Sequence, residues 1–260
     1  MNPTSAPVRA ALVRAVSPRL AHGLRTFRER TPIDLGRAGH QHHAYQQVLR
    51  DLDVEVVSAP PADELPDAVF VEDAVVVFDD LAVLTRPGAV QRRTEPASLA
   101  PVLAARGYRI LELPPPGRLD GGDVLVVDEV VYVGVGARTE VAGAEALAEA
   151  LRGTGRRVVP VDVPGALHLK TAVTALPDGT LVGRPDQIDT TAFAGRRLIP
   201  APEPEGANLL PVNGRVLVSA SAPRTAALLA GRGLQVVSVE LDEFERAEAG
   251  LTCLSVRLPR

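Results

Sequence analysis

The chain contains one cysteine, Cys253, in the stretch Gly250-Leu251-Thr252-Cys253-Leu254-Ser255-Val256-Arg257-Leu258. A lone cysteine is more often a small buried hydrophobe than a nucleophile. Here it is accompanied by isolated polar residues that could act with it: Glu72-Asp73, Asp120 with Asp123, His168 and Asn208. With Cys253 they recur at intervals of about 40 to 50 residues, the spacing of a structural repeat. A thiol of ordinary pKa, about 8.5, is mostly protonated at neutral pH, and neighbouring carboxylates oppose its ionisation further. Such a site stays inert until a cation enters. A guanidinium suits it, being planar, permanently charged and able to be gripped by carboxylates through paired N–H bonds. The chemistry open to this set is attack of sulfur on a guanidinium carbon, with a histidine protonating the departing amine and then deprotonating water.

These residues need a scaffold that gathers them. Short Val- and Leu-rich runs alternate with alanine-rich ones, and the pattern predicts a strand over Ala10–Val16, a helix over Leu35–Leu52 and a strand over Val54–Ser58. Paired strands follow over Val69–Phe78 and Leu81–Thr85, then a helix over Ala97–Arg106 stopped by Gly107, and a strand over Arg109–Leu113. The same order recurs in Asp123–Val127, Val130–Val135, the helix Thr139–Arg152 and the strand Arg157–Val161. It recurs again in Ala172–Ala175, Thr180–Val182, a weaker segment over Asp186–Phe193, and Arg197–Ile199. The last copy comprises Leu209–Val212, Arg215–Ser219, Arg224–Ala230 and Leu234–Val239, and its Asn213-Gly214 turn is the strongest hairpin signal in the chain.

This is a strand, strand, helix, strand unit repeated four times. The strand around Cys253 is left over at one end, and a strand, helix and strand are left over at the other; joined, they make a fifth unit. The expected fold is therefore α/β, a five-bladed α/β propeller of ββαβ units whose ring is closed by the N- and C-terminal segments, forming a single catalytic domain over residues 1–260. An open doubly wound sheet places single strands between helices and leaves the doubled hairpins unexplained. Equivalent positions of a ring converge on its axis, which would bring the polar residues together.

Composition removes other functions. A net charge of −4 offers no basic field for nucleic acid or an anionic membrane. No apolar run is long enough to span a bilayer, and Arg9 and Arg14 interrupt the N-terminal stretch where a signal peptide would need an unbroken apolar core. One cysteine forms no internal disulfide, so a cytoplasmic location is expected. Lys170 is the only lysine, which excludes a Walker A loop. His40 and His43 share a helix face but lack a cysteine to complete a metal site, and with His42 they are read as polar helix positions. Gly134-Val135-Gly136 has Thr139 where a dinucleotide loop needs its third glycine.

The blocks Phe70-Val71-Glu72-Asp73, Leu119-Asp120-Gly121-Gly122-Asp123-Val124, Leu167-His168-Leu169-Lys170 and Leu251-Thr252-Cys253 resemble the dimethylarginine dimethylaminohydrolases of the guanidine-modifying (pentein) superfamily. The likeness runs over nearly the whole chain, in order and spacing. It implies hydrolysis of asymmetric dimethylarginine and monomethylarginine to citrulline and a methylamine through a covalent thiouronium on cysteine. It implies Cys253 as nucleophile, His168 as general acid and base, and Asp120 as the carboxylate that orients the histidine. Glu72 and Asp73 would lie against the guanidinium, Arg92 and Arg138 would hold the substrate carboxylate, Asp67 would face its amino end, and Leu24 and Ala247 would touch it. The partner implied is a small-molecule methylated arginine, with no cofactor and no catalytic metal; whether the chain forms a homodimer is left open. Leu254 stands where some relatives have a second cysteine.

Other readings compete. In a regular strand Glu72 and Asp73 would point to opposite faces, so only one would reach a ligand. Asp120-Gly121-Gly122-Asp123 alone is a common tight turn. An arginine deiminase would release ammonia, an amidinotransferase would pass the same intermediate to an amine, and a non-catalytic binder of cationic amino acids would need neither thiol nor histidine.

Overall fold

The structure, a computed structural model, describes residues 7–259. It contains five three-stranded sheets, and in each the middle strand pairs antiparallel with one neighbour and parallel with the other. The second blade is Val75–Phe78, Leu81–Leu84 and Arg109–Glu112; the third is Val124–Val127, Val130–Val135 and Arg157–Asp162. The fourth is Val173–Ala175, Leu181–Gly183 and Leu198–Pro200, and the fifth Leu210–Val212, Arg215–Ser219 and Gln235–Val239. The first blade joins the two ends of the chain. Val256–Leu258 runs antiparallel to Ala10–Val13 in the register Ala10↔Leu258 and Leu12↔Val256, and Glu55–Ser58 lies parallel on the other side. The fold is thus the five-bladed α/β propeller of ββαβ units, with the ring closed by the terminal segments.

Local chemistry accounts for these elements. Middle strands such as Ala10–Val13 and Leu81–Leu84 are buried along their whole length, so they read as unbroken apolar runs. Outer strands such as Glu55–Ser58 and Arg109–Glu112 are exposed at their ends and only half-buried between. Three hairpins turn on a left-handed first residue, Asp79 (φ 48°), Asp128 (φ 57°) and Asn213 (φ 42°), residue types whose short polar side chains tolerate that conformation. Packing between adjacent blades supplies the core. Leu12, Val75, Leu84, Leu103 and Leu258 form one cluster between the first and second blades, and Leu119, Val131, Val133 and Leu147 lie in another between the second and third.

Several expected elements change form. Helix Leu35–Asp51 begins at Asp34, whose carboxylate accepts the Arg37 N–H, but His42 on it is buried, while His40 and His43 are exposed. Ala97–Arg106 divides into a 3-10 turn, Pro96–Ser98, and a helix, Ala100–Ala105. Asp186–Phe193 forms two 3-10 turns, and an additional helix spans Asp242–Glu245. The first strands of the second and fourth blades are shorter at their beginnings than predicted, and so is the strand holding Val256; each is preceded by a short helical turn. Among the described residues, no helix is long and apolar enough to cross a membrane.

Candidate active site

Those short turns carry the polar residues. Glu72 and Asp73 lie within the 3-10 turn Val71–Ala74, Asp120 caps the turn Gly121–Asp123, and His168 caps the helical turn Leu169–Ala172. Asn208 ends the turn Pro204–Ala207, and Cys253 lies in the turn Thr252–Leu254. Each turn leads into the first strand of a blade, or stops one or two residues short of it. Glu72, Asp73 and Cys253 are therefore not strand residues. Three or four residues of 3-10 geometry carry too little periodicity to be separated from the apolar strand that follows.

The two glycines after Asp120 allow the turns to meet. A Cβ at Gly121 would lie 2.0 Å from the Glu72 carbonyl oxygen, and one at Gly122 would lie 2.6 Å from Asp73 Oδ1 and 2.7 Å from His168 Nδ1. Only glycine admits that approach. The Gly122 N–H instead donates to Asp73 Oδ1 at 3.0 Å.

A small cavity of about 20 Å³ lies where the turns converge, with room for little more than one water molecule. Eight of the ten candidate residues line it: Leu24, Asp67, Asp73, Arg92, Arg138, His168, Ala247 and Cys253. Asp120 lies one layer behind, wholly buried, with Oδ2 3.0 Å from His168 Nε2 and Oδ1 accepting the Gly88 N–H at 2.7 Å. Glu72 turns away from this cavity. Its Oε1 accepts from Lys170 Nζ and its Oε2 from Thr252 Oγ1, both at 2.6 Å.

The two arginines differ in their surroundings. Arg92 is buried and bonds Asp73 Oδ2 (2.5 Å), both oxygens of Glu95, and the carbonyls of Asp67 and Phe70. It is a strut beneath Asp73, with at most one N–H remaining for a ligand. Arg138 is half-buried and donates to the Thr26 hydroxyl at 3.0 Å. Asp67 Oδ2 accepts the Leu24 N–H at 3.1 Å and so holds Leu24 at the cavity.

Charge and burial set the protonation states. Burial, then the charges of Glu72 and Asp73, push the Cys253 thiol up to about 12. Burial alone would lower His168, but Asp73, Asp123 and Asp120 outweigh it and raise the imidazole to about 9. Burial opposes ionisation of Asp73, yet His168 and Arg92 hold it at about 2. The resting site is thus a thiol, an imidazolium and carboxylates. One ligand atom from each of Asp73, Asp120 and His168 falls within 4.8 Å of the others. Arg92, the backbone N–H groups of Gly122 and Gly88, and the imidazole already donate to both carboxylates, which makes the cluster a proton and guanidinium network.

Some participants had no sequence signal. Glu95 is buried and gives Arg92 its second carboxylate. Glu248, at the left-handed φ of 60°, accepts the backbone N–H groups of Thr26, Phe27 and Arg28 and fastens that loop beside the cavity. Thr139 donates to Asp123 and accepts the Asp120 N–H. Glu248 and Thr139 act through partners far away in the chain, whereas Glu95 is three residues from Arg92 and reads locally as an ordinary exposed pair until burial gives it its role.

Comparison with known proteins agrees with this geometry. The family model described as N,N dimethylarginine dimethylhydrolase, eukaryotic, matches residues 24–188. The chain is 48% identical over 253 residues to the N(G),N(G)-dimethylarginine dimethylaminohydrolase of Streptomyces coelicolor, covering 97% of this chain and 98% of the relative. A dimethylarginine dimethylaminohydrolase with its histidine changed to glycine, solved as an adduct with S-methyl-L-thiocitrulline, superposes with a TM-score of 0.91 at 30% identity, over 96% of this chain and all of the other. The Pseudomonas aeruginosa enzyme with a cysteine-to-serine change, complexed with citrulline, gives 0.89 at 31% identity over 97% of this chain and all of the other. On these matches the chain belongs to the dimethylarginine dimethylaminohydrolase family.

Proposed function

We propose that this chain hydrolyses asymmetric dimethylarginine, and monomethylarginine, to citrulline and a methylamine, acting as one catalytic unit. The observation that carries the reading is the single cavity at which the only thiol, a protonated histidine and the Asp73 carboxylate meet. A guanidinium placed against Asp73 brings positive charge to Cys253 and offsets the carboxylates that suppress its ionisation. The thiol then releases its proton to water and sulfur bonds to the guanidinium carbon, whose C–N π electrons move onto nitrogen. His168 gives a proton to the alkylated nitrogen, the C–N bond breaks and the amine departs. Water, deprotonated by the now neutral His168, adds to the thiouronium carbon, and the C–S bond breaks to return the thiol and citrulline. Asp120 holds the imidazole, Arg138 receives the substrate carboxylate, and Asp67 with Leu24 borders its amino end. Glu72 acts at one remove, through Thr252 and Lys170.

The small cavity requires the Leu24–Arg28 loop to move as substrate enters. A nucleophilic thiol that must stay reduced suits the cytoplasm. The deciding experiment incubates the protein with asymmetric dimethylarginine, monomethylarginine and arginine and quantifies citrulline, methylamines and ammonia. Citrulline with dimethylamine is expected. Ammonia from arginine as the main product would make the chain a deiminase, and tight binding without turnover would make it a binder.

A further inference from the structure

The fifth blade contributes Asn208 at the position equivalent to those of the catalytic turns, and its bonds give it a task. The residue is buried. Its Nδ2 donates to the Lys170 carbonyl at 2.8 Å and to Thr252 Oγ1 at 3.1 Å, while Oδ1 accepts the Thr252 N–H at 3.0 Å. The amide has one orientation, because a backbone N–H can only donate and a backbone carbonyl can only accept. Lys170 is two residues beyond His168, and Thr252 immediately precedes Cys253. Asn208 therefore joins the acid–base turn to the nucleophile turn, which the chain itself separates widely.

The surroundings reinforce this clamp. A Cβ at Gly250 would lie 2.5 Å from Asn208 Oδ1, so glycine there lets the nucleophile turn lie flat against the amide. The Gly250 N–H in turn faces Cys253 Sγ at 3.5 Å. From Asn208 the bonds run to Thr252, from Thr252 to Glu72, from Glu72 to Lys170 Nζ, and by the Lys170 backbone to Asn208 again. This closed circuit ties the fifth, first, second and fourth blades behind the thiol.

We propose that Asn208 is a positioning residue for the hydrolysis, setting the placement of Cys253 relative to His168 without touching substrate. The proposal rests on the function argued above. A displacement of about 1 Å between reacting groups costs roughly 100-fold in rate, while binding contacts made elsewhere are little affected. The test compares wild type, Asn208→Ala and Asn208→Asp in kcat and KM for asymmetric dimethylarginine. Rates are expressed per reactive thiol, which alkylation counts without ambiguity because Cys253 is the only cysteine. Asn208→Ala is expected to lower kcat about 100-fold with KM within about threefold. Asn208→Asp fills the same space but turns a carboxylate oxygen toward two oxygens and adds negative charge beside the turn that holds Cys253; it should lose at least as much and shift the pH dependence of thiol alkylation upward. An aspartate variant with wild-type kcat and pH profile would reduce Asn208 to a space-filling role and overturn the proposal, as would a loss confined to KM. If the alanine variant does not fold, Thr252→Val, which removes the hydroxyl that bonds Asn208 and Glu72 and so opens the circuit from the other side, decides: undiminished kcat sinks the proposal. Absence of turnover by the wild type would instead count against the proposed function itself.

Discussion

His168 Nε2 lies 3.0 Å from Asp120 Oδ2, and the Gly88 N–H pins the other oxygen of that carboxylate. The imidazole plane is thereby fixed with Nδ1 directed toward Asp73 Oδ1, 3.7 Å away. An imidazolium held between two carboxylates is an acid in reserve, and the thiol beside it stays protonated until a cation arrives.

Cys253→Ser should reduce citrulline release from asymmetric dimethylarginine by at least about 10³-fold, because the nucleophile and its base act as a unit. Calorimetry should still detect ligand binding, since the guanidinium and carboxylate contacts remain. Ordinary turnover by this variant would remove sulfur from the mechanism.

The pH dependence follows from the two raised groups. In free protein the thiol, at about 12, should react with an alkylating agent at a rate that still rises well above pH 9; a bound guanidinium ligand should move that rise toward neutrality. A free thiol half-ionised near pH 8 would contradict substrate-driven activation. The fraction of His168 able to protonate the leaving amine falls in free protein as pH passes about 9, so kcat/KM should decline there. Because folding raises this pKa above its ordinary 6.5, the stabilisation it brings is complete below pH 6.5 and lost as pH rises through about 9.

The two cavity arginines should separate by phenotype. Arg138→Ala should raise KM more than it lowers kcat, since it removes a contact to the unreacting end of the substrate. Arg92→Ala leaves Asp73 and Glu95 buried without their cation and should cost about 3 to 5 kcal/mol of stability, read by urea denaturation. Equal effects of the two changes on melting temperature would refute the distinction.

His42 should make the fold acid-sensitive. Burial, aided by His43, lowers its pKa from 6.5 to about 4, so the unfolded chain takes up a proton that the fold refuses. Its contribution to stability is whole above pH 6.5 and declines as pH falls toward 4, by on the order of 3 kcal/mol. The stability curves of wild type and His42→Leu should converge or cross over that interval; parallel curves would show that His42 does not titrate as described.

Sequence patterning alone was enough for the repeat, the closure of the ring and the place of Glu72-Asp73, Asp120, His168, Asn208 and Cys253 at the openings of its units. Those features depend on local signals. Apolar runs bounded by turn residues mark the strands of Ala10–Val13 or Val130–Val135, and Asn213-Gly214 marks its hairpin because few other residue pairs adopt those dihedrals. Tertiary structure alone decided that Asp73 faces the cavity while its neighbour Glu72 is held by Lys170 and Thr252. It also decided that Arg92 props a carboxylate from beneath, that His42 is buried, and that Asn208 spans two turns. A long polar side chain bonds whatever lies within about 3 Å of its tip, and in a ring of blades that neighbour comes from another repeat, where sequence patterning carries no information about it.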